Sequence, residues 1–193
     1  MRFTTILAAL ILVVAGWAGR AEAYSYAAAG AEPLLDGREA LMSAAAKGDW
    51  DAAQAALDGM KADLTYLDEN DDPGIAKVFA DALAEKDAGA LHQALMRAYA
   101  DEIERRLAGA KDNLKDYQTS KVLVVKAQRF YQAMAPDLPE DKRKTIEDGL
   151  KQALDAIGNP GVFGVGASDP DPAAFAAAHA NVVAALDGIG RTG

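Results

Sequence analysis

Residues 92–106, HQALMRAYADEIERR, have the periodicity of an amphipathic helix and include four side chains that can bind a ligand or transfer a proton. At about 100° per residue, His92, Tyr99, Glu102 and Arg106 turn toward the face that also carries the apolar residues of this segment. Imidazole, phenol, carboxylate and guanidinium groups are the usual metal ligands, proton carriers and anion binders. His92 and Glu102 are about 15 Å apart along a helix axis, so one metal ion cannot contact both. A binding site built on this face therefore needs a second helix.

Three further residues extend this polar set. Met96 lies one turn after His92, Lys126 flanks the apolar face of a later helix, and His179 lies in the middle of the apolar stripe of the last helix. A buried charge is costly unless it is paired, so Glu102 is expected to pair with Arg106 or Lys126. The candidate ligand-binding residues are His92, Met96, Tyr99, Glu102, Arg106, Lys126 and His179.

Two interpretations of these inward polar groups remain open at this point. They form either a satisfied buried network that determines how the helices pack, which we favour, or one wall of a site for a metal ion or small ligand. No H-E-x-x-H, G-x-S-x-G or S-x-x-K motif is present, so we assign no catalytic residues and expect binding rather than catalysis. The metal and the cofactor stay unknown. The least favoured alternatives are an enzyme with His92 or His179 as base and Glu102 as its partner, and a non-covalent haem held by His or Met.

The absence of cysteine and the acidic composition exclude several classes of function. Without cysteine there is no thiol nucleophile, iron–sulfur cluster, cysteine-bound zinc or covalent c-type haem. The 193 residues carry 20 Lys and Arg against 29 Asp and Glu, a net charge of −9. Because binding to phosphate backbones depends on Lys and Arg, we expect no nucleic-acid partner.

The N-terminus has the pattern of a secretory signal peptide. Arg2 precedes an apolar run from Ile6 to Trp17, and Ala21-Glu22-Ala23 provides the small-residue cleavage site. The sequence predicts a signal peptide over residues 1–23, cleavage before Tyr24, and a periplasmic or secreted protein with no membrane anchor.

The remaining sequence predicts an all-α fold, a single-domain antiparallel helical bundle of about six to seven helices over residues 35–193. A flexible leader is expected over 24–34. Apolar residues at helical spacing and breaks at Gly and Pro place the helices at 35–47, 49–66, 73–86, 88–114, 119–135, 139–157 and 172–188. The Gly-rich loop at 158–171 carries three large apolar residues and is expected to pack against the core.

Residues 41–57 and 79–95 are weakly similar, which favours two similar helical hairpins over a true repeat array. We therefore expect an exported helical binding protein for a metal ion or small ligand, with a partner-protein adaptor built from tetratricopeptide-like hairpins as the alternative. The layout resembles that of imelysin-like periplasmic iron-uptake proteins. Their H-x-x-E motif is missing, since Leu95 and Val182 stand where it requires glutamate, and no residue role is carried over.

Overall fold

A computed structural model describes residues 30, 32–163 and 165–191, and these residues form helices joined by short turns. The all-α prediction is confirmed; within the described residues the only strand-like pairing is two isolated bridges. The predicted signal peptide and residues 24–29 and 31 of the predicted leader lie outside the described residues. The helices are α1 Pro33–Asp36, α2 Arg38–Lys47, α3 Trp50–Asp58, α4 Lys61–Asn70, α5 Ile75–Ala84, α6 Ala88–Asp112, α7 Tyr117–Met134, α8 Glu140–Ala156 and α9 Pro172–Leu186.

The last four helices pack as an antiparallel bundle in which each contacts the next and α9 returns to α6. Specific bonds between helix ends establish the directions. The Ser120 hydroxyl donates to the Ala110 carbonyl where α6 passes into α7, and the Tyr131 hydroxyl donates to the Arg143 carbonyl between α7 and α8. The start of α6 and the end of α7 therefore share one end of the bundle, and the end of α8 and the start of α9 share the opposite end.

The five shorter helices precede this bundle, with α2 and α5 packed against α6. The turns α2–α3 and α5–α6 have the same construction. In each, a residue with left-handed φ, Gly48 at 73° or Lys86 at 56°, precedes an aspartate. Asp49 accepts a hydrogen bond from the backbone of the following helix, and Asp87 does the same. The similarity between 41–57 and 79–95 thus reflects one kind of helical hairpin used twice.

The single helix predicted over 49–66 is wrong, because the structure breaks it between α3 and α4. Gly59 and Met60 connect the two helices. Met60 is fully buried, and its side chain packs so closely on Gly37 that a Cβ there would lie 2.6 Å from Met60 Cε. Glycine is a poor helix former, so the chain can turn at Gly59 and direct Met60 into the core.

Three further boundary predictions are corrected. Within the leader predicted over 24–34, Glu32 and Leu34 are buried and belong to the folded part of the chain. The helix predicted over 119–135 begins earlier, at Tyr117, where the Asp116 side chain accepts a hydrogen bond from Thr119 N. The helix predicted to begin at residue 73 begins instead at Ile75. Asp68 accepts from the backbone of that first turn.

The apolar loop at 158–171 does not pack on the core as expected. Val162, Phe163 and Val165 are 73%, 103% and 79% exposed. Antiparallel bridges join Asn159 to Ser168 and Val162 to Val165, so the loop projects as a short hairpin. Among the described helices, none is long and apolar enough to cross a bilayer.

Candidate functional site

The seven predicted site residues lie in three separate places. Tyr99, Glu102, Arg106 and Lys126 come together in the interior, with Met96 buried on the same helix. His92 lies in a cleft at the end of the bundle where α6 begins. His179 lies in a groove between α6 and α9. The structure therefore does not assemble one site from the whole set.

The interior group is a buried ion cluster made of Glu32, Glu102, Arg105, Arg106 and Lys126. Arg106 donates to Glu32 over 2.7 Å and lies 3.0 Å from Glu102, as the spacing of four residues predicts. Lys126 Nζ lies 2.8 Å from Glu32 Oε1, and Arg105 also donates to Glu102. Glu32 thus joins the first described residues of the chain to α6 and α7.

Tyr99 closes one side of this cluster and acts as a structural donor. Its hydroxyl donates to the Leu34 carbonyl over 3.0 Å, and its ring packs on Phe130 with centroids 5.6 Å apart. Burial raises the pKa of the Tyr99 phenol, so the group stays protonated at physiological pH. The Arg106 guanidinium lies over the same Phe130 ring. Tyr99 therefore contributes a hydrogen bond and aromatic packing beside the cluster.

The burial of the cluster limits the access of a ligand to it. Glu32, Glu102, Arg106 and Lys126 have side chains no more than 5% exposed. Each carboxylate contacts at least one cation of the chain itself, which is how buried charges are normally accommodated. Of the two interpretations, this geometry favours a buried network that determines helix packing over a ligand-binding site.

The cleft around His92 is open to solvent and chemically mixed. It has a volume of about 800 Å³ and is lined by Leu35, Arg38, Glu39, Met42, Ser43, His92, Arg129, Gln132 and Ala133. His92 Nε2 lies 3.5 Å from Asp137 Oδ2, and Arg38 Nη2 lies 3.7 Å from the same oxygen. Two arginines, one imidazole and the Glu39 carboxylate thus border an apolar floor. The cationic and donor groups outnumber the acidic one, an arrangement suited to a small amphiphilic anion.

The groove that contains His179 has a volume of about 570 Å³. Burial, and after it the positive charge of Lys111, lowers the pKa of the His179 imidazole. Its Nε2 is buried and has no hydrogen-bond partner among the described residues. The lowered pKa favours the neutral imidazole, the form in which a ring nitrogen without a donor or acceptor is least costly to bury.

A second charged group was missed by the sequence analysis. Arg97 and Asp101 are not among the predicted site residues, yet Asp101 is buried and Arg97 makes two hydrogen bonds to buried Asp72. Arg191, near the C-terminus, donates to Asp101 over 2.7 Å. The local sequence of α6 does not predict this group, because the partners Asp72 and Arg191 are distant from α6 along the chain.

The Asp72 and Asp101 carboxyls face each other and share the two arginines. Burial, together with the hydrogen bond and negative charge of Asp72, raises the pKa of Asp101 to about 7. Burial opposes ionisation of Asp72 as well, but hydrogen bonds from Arg97 and Asp101 outweigh it and lower the Asp72 pKa. The pair therefore holds a proton on Asp101 in weakly acidic solution.

In the described part of the chain, no three His, Cys, Asp or Glu side chains are grouped so that they could hold a metal ion. Comparison of the chain with protein-family models, with curated proteins and with solved structures finds no match.

Proposed function

We propose that this chain is an exported, non-catalytic binding protein whose site is the cleft around His92, and that its ligand is a small organic anion with an apolar body. The observation that carries the proposal is the lining of the cleft. Arg38, Arg129 and His92 supply cationic or donor groups around a floor that includes Leu35 and Met42. Open, concave and mixed linings of this kind are typical of small-molecule sites.

The contacts of Asp137 favour an anion over a cation. Asp137 lies 3.5 Å from His92 and 3.7 Å from Arg38, longer than a tight charged hydrogen bond. A carboxylate or phosphate entering the cleft can compete with Asp137 for these donors at little cost. The buried ion cluster offers no such exchange, because Glu32, Glu102, Arg106 and Lys126 are enclosed and each lies in an ion pair. The proposal stops at binding because the sequence contains none of the common nucleophile–base motifs.

Calorimetric titration with benzoate and phenyl phosphate tests this function, with cyclohexylamine as the cationic control. We expect the anions to bind and the amine not to. Arg38→Ala is expected to weaken binding by about tenfold, the loss of one charge-assisted contact. His179→Ala, in the other groove, should leave binding unchanged. Equal effects of the two variants, or binding of the amine alone, would contradict the proposal. The intact mass of the same preparation tests export, with Tyr24 expected as the first residue.

A further inference from the structure

The hairpin at 159–168 exposes three large apolar side chains to solvent. Val162, Phe163 and Val165, which we call the tip, are 73%, 103% and 79% exposed. Soluble proteins rarely leave several large apolar side chains adjacent in water unless the patch has a binding role. The tip is therefore a candidate interaction element.

The backbone holds the tip in a defined conformation. Phe163 has a φ of 53°, a left-handed conformation that bulky residues rarely adopt. Val162 N and Val165 O are hydrogen-bonded across the hairpin at 3.0 Å. Gly161 approaches the opposite strand so closely that a Cβ there would lie 2.5 Å from Val165 O. A strained, exposed aromatic residue held by its neighbours is a feature found at functional sites.

The tip and the His92 cleft lie at opposite ends of the bundle. The hairpin connects the end of α8 to the start of α9, whereas the cleft includes the beginning of α6 and the last part of α7. The bundle is antiparallel, so the part of α6 that follows His92, about 30 Å long, separates the two features. The tip cannot enter the cleft of its own chain.

We propose that the tip of one copy of this protein inserts into the His92 cleft of a second copy. A volume of about 800 Å³ accommodates the Phe163 ring, and Leu35, Met42 and Ala133 offer it apolar contacts. The inference rests on the proposed function of the cleft, because the tip would occupy the site of the small anion.

The distribution of charge also favours the tip of a second copy as the occupant of the His92 cleft. The sequence from residue 152 to residue 190 contains no Lys or Arg, and Asp169 directly follows the hairpin. The cleft is lined by Arg38 and Arg129 against one carboxylate, Glu39. An apolar tip with a carboxylate at its base therefore has the chemistry proposed for the small ligand, an apolar body with a negative charge. The same lack of basic residues disfavours an anionic lipid surface as the occupant.

A contact between unlike surfaces at opposite ends is heterologous, and repetition of it produces open head-to-tail chains rather than closed dimers. The tip is small, so the interface belongs to the weak, transient class below about 1,200 Å² of buried surface. Association is therefore expected only at high protein concentration, and a cleft-binding anion should compete with it.

Sedimentation velocity of the purified protein between about 10 and 500 μM, concentrations suited to a weak interface, tests the proposal with three variants. Phe163→Asn removes the aromatic ring but tolerates the left-handed φ, so the fold should be retained. Ala133→Trp fills the cleft. Val125→Ser alters an apolar residue that is also exposed, at 40%, but lies outside both surfaces. We expect association of the wild type and of Val125→Ser, and a loss of at least about tenfold in both other variants, as for a central interface residue.

Mixing the two defective variants gives the most specific result. Phe163→Asn retains a working cleft and Ala133→Trp retains a working tip, so an equimolar mixture should form heterodimers and nothing larger. A wild type that stays monomeric, association that survives Ala133→Trp, or binding of the tip to phosphatidylcholine vesicles would each overturn the inference. Benzoate titration of the same samples separates the two proposals: benzoate binding without association overturns self-docking and leaves the proposed function intact.

Discussion

Glu32 lies between two cations in the interior, 2.7 Å from Arg106 and 2.8 Å from Lys126, and is only 2% exposed. A buried ion pair contributes little net stability compared with a well-packed apolar substitute. Removing one partner of the pair destabilises the fold, because the remaining buried charges are then neither paired nor hydrated. Glu32 therefore determines whether Arg106 and Lys126 can remain buried.

We expect Glu32→Ala to lower the free energy of unfolding by about 3–5 kcal/mol, the usual cost of leaving a buried charge unpaired. Urea denaturation followed by circular dichroism measures it. Asp81→Ala, which breaks the exposed ion pair with Lys77, is the matched control and should change stability far less. A similar loss in both variants would show that the Glu32 cluster is not the buried network described above.

The sequence could predict part of this cluster. Glu102 and Arg106 are four residues apart on one helix, a spacing that brings side chains together wherever the helix is placed. Glu32 could not be found in this way, because it is 74 residues from Arg106 along the chain. It also precedes the helical periodicity, in a stretch that reads as a flexible leader.

Gly149 determines how closely α8 and α9 approach each other. A Cβ added at this buried position would lie 2.4 Å from Val182 Cγ2 and 3.4 Å from the Ala178 carbonyl oxygen. Valine is restricted to few rotamers in a helix, so Val182 cannot easily move aside. The α8–α9 contact thus depends on glycine at this position, although glycine is a poor helix former.

Gly149→Ala is expected to destabilise the protein by about 1–3 kcal/mol through overpacking against α9. Gly109→Ala is the matched control on α6, where the nearest side-chain atom would be 3.4 Å away. There, the better helix propensity of alanine should stabilise by up to about 1 kcal/mol. Thermal unfolding of both variants measures the difference. Stabilisation by both would mean that α8 and α9 are less closely packed than described.

At the scale of elements, local chemistry predicts where several helices begin. Asp49 and Asp171 stand at the predicted starts of helices, and each accepts a backbone hydrogen bond from the first turn of its helix. The break at Gly59–Met60 was not predicted, because it depends on the burial of Met60 beside Gly37. The local sequence carries no information about that tertiary contact.

Across the whole molecule, the Asp72–Asp101 pair joins three distant parts of the chain. Asp72 precedes α5, Arg97 and Asp101 lie on α6, and Arg191 follows α9. Gly190, with a φ of 67°, brings the tail against α6 where a Cβ would lie 2.4 Å from the Gln93 carbonyl oxygen. Glu104, Lys111 and Asp187 border the adjoining groove.

The raised Asp101 pKa makes stability depend on pH. The folded protein holds this proton more tightly than the unfolded chain, whose pKa is near 3.8, so the contribution is complete below that pH. It is lost as the pH rises through about 7, the folded-state pKa.

Asp101→Asn should remove this dependence. Between pH 4 and 8, the unfolding free energy of the wild type should fall relative to that of the variant by on the order of 1 kcal/mol. Urea unfolding at a series of pH values measures it. Asp112→Asn, an exposed residue of the same helix, should follow the wild type. Parallel curves for wild type and Asp101→Asn would contradict the shared-proton arrangement.

The sequence by itself determined the helical class and most helix positions, because apolar periodicity and capping residues act within one or two turns. It also identified polar groups on the inner face of α6. Only the tertiary structure decided which of these groups meet: it enclosed Glu102 and Arg106 with Glu32, left His92 in an open cleft, and exposed the Phe163 tip. Burial, charge pairing and cleft shape arise from contacts between residues far apart in the chain, and these contacts have no local signature.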